Sequence, residues 1–255
     1  MWAAGAGSAG SILRLVAPET NWDRSADLET IKAAYAQYDT AGRARLWDDR
    51  NPGYGMLVAD LRRRLLAFIG ASLSRDVPSR VLDLGCGTGD LFREVASLGL
   101  PLDWQGVDLR PEVVADAEAS YPGAVFHVAS ADQVPLPAAS CDVVIAQVLF
   151  SSLPSPQLEL GVASEVSRLL KPGGWLVWMD IRYSNPANAA VHGISAARLS
   201  SLFPSWKADL ASVGLIPPVA RRLGPAAGIL YPLLSTVPAL RSHLVGRLRR
   251  PGSHL

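Results

Sequence analysis

VLDLGCGTGD, residues 81–90, decides the fold. A short apolar run, RVLDLG, ends in glycines, and DLFREVASLG follows at once with helical spacing. Gly85, Gly87 and Gly89 therefore fall in a turn between a strand and a helix. Glycines there permit a sharp bend and let a ligand approach the backbone closely. The first N–H groups of the following helix have no partner within it and are open to the same ligand. The dinucleotide fingerprint GxGxxG would place its last glycine at position 90, where this chain has Asp90. Asp83 adds a second acid inside the strand. Both acids sit badly beside a pyrophosphate and suit a ligand that carries a cation.

Working outward, the rhythm of strand and helix repeats. DWQGVDL is a second strand, ended by Asp108, and PEVVADAEASY is a helix opened by proline. AVFHVAS is a third strand. SCDVVIAQVLF is a fourth, whose near-continuous apolar run fits a central strand covered on both faces. Ser155-Pro156 opens a helix carrying Leu158, Val162, Val166 and Leu169, and Lys171-Pro-Gly-Gly stops it. GWLVWMDI is a fifth strand. SWKADLASV and SHLVGRLRR are candidates for two late strands, with residues 217–241 inserted between them. The alternation predicts an α/β, Rossmann-like, doubly wound sheet. Carboxylates at successive strand ends, Asp108 and Asp132, would line the crevice where such sheets bind ligands. An acid in the place of Asp108 can accept both hydroxyls of a ribose, and Asp132 can accept from an adenine amino group.

Before this unit, residues 27–38 set Leu28, Ile31, Tyr35 and Tyr38 on one helical stripe, and residues 54–70 repeat the pattern with Leu57, Leu61, Leu65, Phe68 and Ile69. The chain divides accordingly into an N-terminal arm and helical lid, residues 1–75, and a ligand-binding domain, residues 76–255. The small-residue-rich start has no basic flank followed by an apolar core, so it does not read as a signal peptide.

Apolar residues make up 49% of the chain and charged residues 18%, which supports a substantial core. A net charge of +1 gives no global reason to expect nucleic acid as partner. Cys86 and Cys141 are far apart, without a CxxC, and suggest neither a disulfide framework nor a zinc site; a cytoplasmic, reducing compartment is the simplest expectation. No metal-ligand spacing occurs. LGPAAGILYPLLSTVPAL, residues 223–240, is 18 residues without a charge, flanked by arginines. Pro225, Pro232 and Pro238 break it as a continuous spanning helix. A packed helix is expected, with peripheral membrane contact through residues 223–250 as the alternative.

VLDLGCGTG, Asp108, Ala131-Asp132, CDVVIAQ and LLKPGGWLVW, taken in order, resemble the class I S-adenosylmethionine-dependent methyltransferases over roughly residues 80–182. The resemblance implies a seven-stranded sheet whose last strand is antiparallel, and S-adenosyl-L-methionine as cofactor. It implies contacts from Asp83, Gly85, Cys86, Gly87 and Gly89 to the methionine portion, Asp108 and Leu109 on the ribose side, and Ala131 and Asp132 near the adenine, with Gln147 beside the methionine or the acceptor. Leu149-Phe150-Ser151-Ser152, the run from Asp180 to Asn188, and Leu202-Phe203-Pro204 further resemble a bacterial, type 11-like group associated with glycan and secondary-metabolite pathways. His192 stands where that group commonly has arginine.

The chemistry at the acceptor end follows from the reaction. Methyl transfer from a sulfonium is an in-line displacement that needs alignment and exclusion of water. A hydroxyl acceptor must also lose a proton, for which Asp180, at a predicted strand end, and His192 are the candidate bases. Tyr35, Tyr38, Phe150, Arg182, Asn185 and Asn188 are the candidate acceptor contacts. The expected acceptor is a small molecule, or one linked to a glycan or lipid, methylated at oxygen. An NAD(P)-dependent oxidoreductase and a non-catalytic nucleoside-binding regulator are the competing readings. Oligomeric state is left open.

Overall fold

The computed structural model describes residues 22–40, 48–184 and 190–252. Two helices precede the sheet, α1 (Arg24–Thr40) and α2 (Pro52–Gly70). Asn51 caps α2, its side-chain oxygen accepting from the Tyr54 N–H at 3.0 Å, and Pro52 supplies a preset φ at the first helical position.

The sheet follows as β1 (Ser79–Leu84), α3 (Asp90–Ala96), β2 (Leu102–Asp108), α4 (Pro111–Ser120), β3 (Val125–Val128), β4 (Cys141–Gln147), α5 (Pro156–Leu169) and β5 (Leu170–Ile181). It closes with α6 (Ala196–Leu202), β6 (Lys207–Leu215), α7 (Pro217–Arg222), α8 (Ala227–Leu234) and β7 (Arg241–Arg249). The strand order is β3-β2-β1-β4-β5-β7-β6. β1 to β5 are mutually parallel, and β7 runs antiparallel to both β5 and β6. The two late strands are where the sequence places them, and the reversed last strand is as the family resemblance implies.

Side-chain alternation along the strands builds a core on each face. Leu82, Leu84, Val144, Ala146 and Trp178 point to the side covered by α5 and α6. Val81, Val143, Ile145, Val177 and Val245 point to the side covered by α2 through Leu65 and Ile69. The strand order reverses between β1 and β4, so the chain leaves these neighbours toward opposite faces and a crevice opens at their carboxyl ends.

Residues 217–241 form α7, α8 and two short 3-10 turns, at Gly224–Ala226 and Pro238–Leu240. They pack on the outer part of α2, where Leu57, Leu215, Ala220 and Tyr231 make a small buried cluster. Among the described residues, no helix is long and apolar enough to cross a membrane.

Candidate active site

The crevice at the β1/β4 switch holds a cavity of about 360 Å³. Its floor is the glycine turn. Gly85, Gly87 and Gly89 have φ of 82°, 52° and 78°, the left-handed region that other residues enter only at a cost. The amides of Gly85 and Cys86 both bond the Val107 carbonyl, which ties the turn to the end of β2.

Asp108 stands at that end. Its carboxylate accepts from the Gly87 N–H at 2.9 Å and from the Arg110 N–H at 3.0 Å, and it remains part of the cavity wall with Leu109 and Arg110. Asp83 lies deeper in the wall and is almost fully buried. Burial, and then the charge of Asp108, push its carboxyl up to about 7. A cationic amine reaching Asp83 would reverse that shift. Burial also pushes the Cys86 thiol well above its ordinary value, so it acts as a small packing group.

The adenine end departs from the sequence expectation. Ser130 and Ala131 line the cavity, whereas the Asp132 carboxylate is engaged by α1. Arg24 donates to it from Nε at 2.5 Å and from Nη2 at 2.8 Å, and the Ser130 hydroxyl donates as well. Burial alone would raise the Asp132 carboxyl; the hydrogen bonds from Arg24 and Ser130 outweigh it and hold the group below the ordinary carboxylate range. α1 is fastened at two further points. The Ser155 hydroxyl donates to Asp27, and the Arg110 guanidinium stacks 4.4 Å from the Tyr35 ring centre. Leu28, Ile31 and Tyr35 of α1 form part of the cavity wall.

The wall nearest the glycine turn includes groups that sequence reasoning missed. Arg62 and Leu65 of α2 face Leu91 and Glu94 of α3, with an Arg62–Glu94 ion pair at 2.9 Å. The helical stripe identified Leu65 but could not say that the adjoining Arg62 faces the ligand space. Val148 is a second omission. It follows Gln147 at the end of β4, lines the cavity and has φ of 52°. A β-branched residue in that conformation is an outlier, held here by a 2.7 Å bond from its N–H to the Met179 carbonyl.

The proposed acceptor residues are less gathered than the cofactor residues. Gln147 and Tyr35 line the cavity. Asp180, Phe150, Arg182 and His192 do not. Asp180 is fully buried on β5 and accepts from the amides of Ser151 at 3.0 Å and Ile181 at 2.9 Å. Burial lifts its carboxyl to about 6 against the pull of those amides. Phe150 is buried against Phe203 with ring centres 6.1 Å apart. The Arg182 guanidinium bonds the carbonyls of Pro238 and Arg241 at 2.9 and 3.0 Å. His192 Nε2 lies 2.8 Å from Glu159, a buried carboxylate that Arg198 also bonds. Asn185, Asn188 and the Tyr38 side chain fall outside the described residues. No residue of 217–241 lines the cavity, so the cover over it comes from α1 and α2. No cluster of potential metal ligands occurs among the described residues.

The fold and the site define a sheet with a ligand-sized cavity at a glycine turn that lacks the dinucleotide spacing. Residues 81–174 match the methyltransferase domain family. The ubiquinone biosynthesis O-methyltransferase of Burkholderia vietnamiensis is 32% identical over 140 residues, which are 52% of this chain and 56% of that protein. The trans-aconitate 2-methyltransferase of Methylobacterium radiotolerans is 27% identical across 75% of this chain and 69% of that one. Among solved structures, the N-methyltransferase NodS of Bradyrhizobium japonicum, in complex with S-adenosyl-L-homocysteine, superposes with a TM-score of 0.60 at 16% identity, over 87% of this chain and 98% of that one. The chain spans about half the length of the first of these curated relatives. Residues 81–174 are thus similar to methyltransferase domains, and the fold is that of S-adenosylmethionine-dependent methyltransferases of known structure.

Proposed function

We propose that the protein transfers the methyl group of S-adenosylmethionine to the oxygen of a small acceptor whose hydroxyl or carboxyl is already acidic. The observation that carries the cofactor assignment is the joint placement of the glycine turn, Asp83 and Asp108 around one cavity. In this reading Asp83 meets the cofactor's amine, Asp108 its ribose hydroxyls, and Arg62 its carboxylate. The sulfonium supplies the leaving group, so the protein's part is alignment and exclusion of water. Arg24, through Asp132, serves this by keeping α1 over the cavity.

The acidity of the acceptor is inferred from the state of the lining carboxylates. Asp83 is taken by the cofactor's amine in this reading, while Asp108 is bonded by Gly87 and Arg110, Asp90 by Thr88 and Tyr121, and Glu94 by Arg62. Asp180 and His192 lie behind the lining. A phenol or a carboxylic acid needs no strong base to present an anionic oxygen, whereas an aliphatic alcohol does. The names of two relatives, an O-methyltransferase and a trans-aconitate methyltransferase, support an oxygen acceptor. Leu28, Ile31, Leu149 and Leu153 make the cavity wall largely apolar and fit an acceptor with an apolar body.

The test is transfer of labelled methyl from S-adenosylmethionine to panels of phenols, carboxylic acids, aliphatic alcohols and amines. Label in the first two panels supports the reading. Label only in amines overturns the oxygen assignment, and label in none of the panels, with cofactor bound, leaves the nucleoside-binding regulator as the better account.

A further inference from the structure

α8 has two faces of opposite character. Tyr231 is buried against Leu57 of α2 and Leu215 of β6, and Ala227, four residues before it, is buried as well. Ile229, Leu230, Leu233 and Val237 occupy the outer side, with exposures of 73%, 39%, 61% and 43%. Their spacing sets them on one stripe that continues past the helix end. Single exposed aliphatics are ordinary, but four on one short element form a contiguous apolar patch.

The charge around the patch is one-sided. Residues 210–241, which carry the patch from the end of β6 to the start of β7, contain three arginines, Arg221, Arg222 and Arg241, and no aspartate or glutamate. Arg221 and Arg222 end α7, directly before this segment, and Arg222 is exposed. Arg241 and Arg182 bracket it from the other side. Arg241 bonds the carbonyls of Ser235 and Thr236, and Arg182 those of Pro238 and Arg241. Carbonyls are neutral partners, so these guanidiniums keep their charge. Of the acids near this end of α2, Asp60 and Asp48 are engaged by Arg63 and Arg50, and Asp49 is exposed.

The patch also has a defined relation to the cavity. α7 and α8 connect the end of β6 to the start of β7, and Leu215 pairs with Arg241 there. That end of β7 pairs with Ile181 at the carboxyl end of β5, the same edge at which β1 and β4 open into the cavity. α2 joins the two sites: Leu57 and Leu61 pack beneath the insertion, while Arg62 and Leu65 line the cavity.

We infer that α8 docks on an anionic lipid surface, inserting Ile229, Leu230, Leu233 and Val237 among the acyl chains while the neighbouring arginines meet the headgroups. Apolar insertion combined with basic flanks is the combination by which a short element binds a bilayer interface without spanning it. Docked this way, the edge of the sheet that carries the cavity lies near the bilayer. The inference rests on the methyl-transfer reading only in what the bilayer delivers: an apolar acceptor partitioned into the membrane.

The test is sedimentation of the full chain with vesicles of phosphatidylcholine alone and of phosphatidylcholine with 30% phosphatidylglycerol. The expected result is binding to the anionic vesicles that weakens with salt. The double variant Ile229→Ser/Leu233→Ser should lose about tenfold or more in vesicle affinity, and Arg222→Glu should lose about threefold. Both sites are exposed, and unchanged melting and S-adenosylhomocysteine binding would show that fold and cavity are intact. Three results overturn the inference: no binding to anionic vesicles; equal binding by the double variant, which assigns the contact to another segment; or a wild-type dimer in light scattering that the double variant dissolves, which makes a second copy the occupant. Sedimentation does not depend on turnover, so failure of the methyl-transfer reading leaves this result standing, and the reverse holds too.

Discussion

Arg24 grips Asp132 with two nitrogens, at 2.5 and 2.8 Å, and so fastens the first turn of α1 to the loop after β3. The two residues are 108 positions apart, and their side chains are 29% and 6% exposed. The pair joins the cover of the cavity to its wall. Bidentate, charge-assisted bonding of this kind is strong and directional. Arg24→Ala is expected to raise the dissociation constant of S-adenosylhomocysteine about three- to tenfold, near 1 kcal/mol, mainly through faster release. Stopped-flow release rates check it. Arg24→Ala and Asp132→Ala should also be non-additive, since each removes the same contact. Additive losses would mean that Asp132 contacts the adenine independently of Arg24.

Asp83 gives the site a pH dependence of definite sign. Its carboxyl titrates at about 7, and only the ionised form attracts the amine of the ligand. Affinity for S-adenosylhomocysteine should therefore rise about tenfold between pH 6 and pH 8. Asp83→Asn should bind weakly and lose most of that dependence. Calorimetry at the two pH values reads both effects.

The same residue should weaken the unliganded fold. Its folded value lies above the ordinary carboxylate value, so the folded state holds the extra proton. The contribution to stability falls as pH rises from about 4 to about 7, and the penalty is complete above that range. Asp83→Asn is expected to raise the melting temperature of the ligand-free protein by about 2–4 °C at pH 8 and by little at pH 4. A loss at pH 8 would show that the carboxylate is stabilised by a partner.

Asp180 and His192 should behave as structural groups. Asp180→Ala strands the amides of Ser151 and Ile181 in the core and is expected to cost about 2–4 kcal/mol. His192→Ala frees one side of Glu159 while Arg198 still holds the other, so a smaller cost of about 1 kcal/mol is expected, with kcat/KM changed less than about threefold. A well-folded His192→Ala protein that loses about a hundredfold in kcat and its pH dependence would reinstate the imidazole as base.

Val148 holds a conformation that suits glycine. In an ordinary strand Val→Gly is destabilising, but relief of the positive φ should make Val148→Gly neutral, or stabilising by up to about 1 kcal/mol. Denaturant unfolding decides it, and a clear loss of stability would show that packing of the side chain outweighs the strain.

The order of strands and the glycine turn were legible because each rests on local pattern. The apolar runs of β1, β4 and β5 are nearly unbroken, and Gly85, Gly87 and Gly89 sit where only a strand-to-helix turn explains them. The antiparallel last strand was legible through the family resemblance rather than through the weak alternation of residues 242–250. What escaped the sequence depends on long-range contact. Nothing near Asp132 says that an arginine 108 positions earlier will claim its carboxylate. Asp180 ends a strand as a ligand-facing acid would, yet its side chain turns inward to bind two amides. Arg62 lay inside a stripe read for packing alone. Nothing in residues 217–241 themselves says that Leu57 and Leu61 of α2 draw them to the outer flank, away from the cavity.

The central claim, that this cavity binds S-adenosylmethionine through the glycine turn and Asp108, is tested most directly by calorimetric titration of wild type and Asp108→Ala. S-adenosylhomocysteine and NAD serve as ligands, and circular dichroism confirms the fold. The account predicts one S-adenosylhomocysteine site per chain in the wild type, loss of affinity by about a hundredfold or more in Asp108→Ala, and no NAD binding in either. NAD binding without S-adenosylhomocysteine binding, or unchanged affinity in a folded Asp108→Ala, would contradict it.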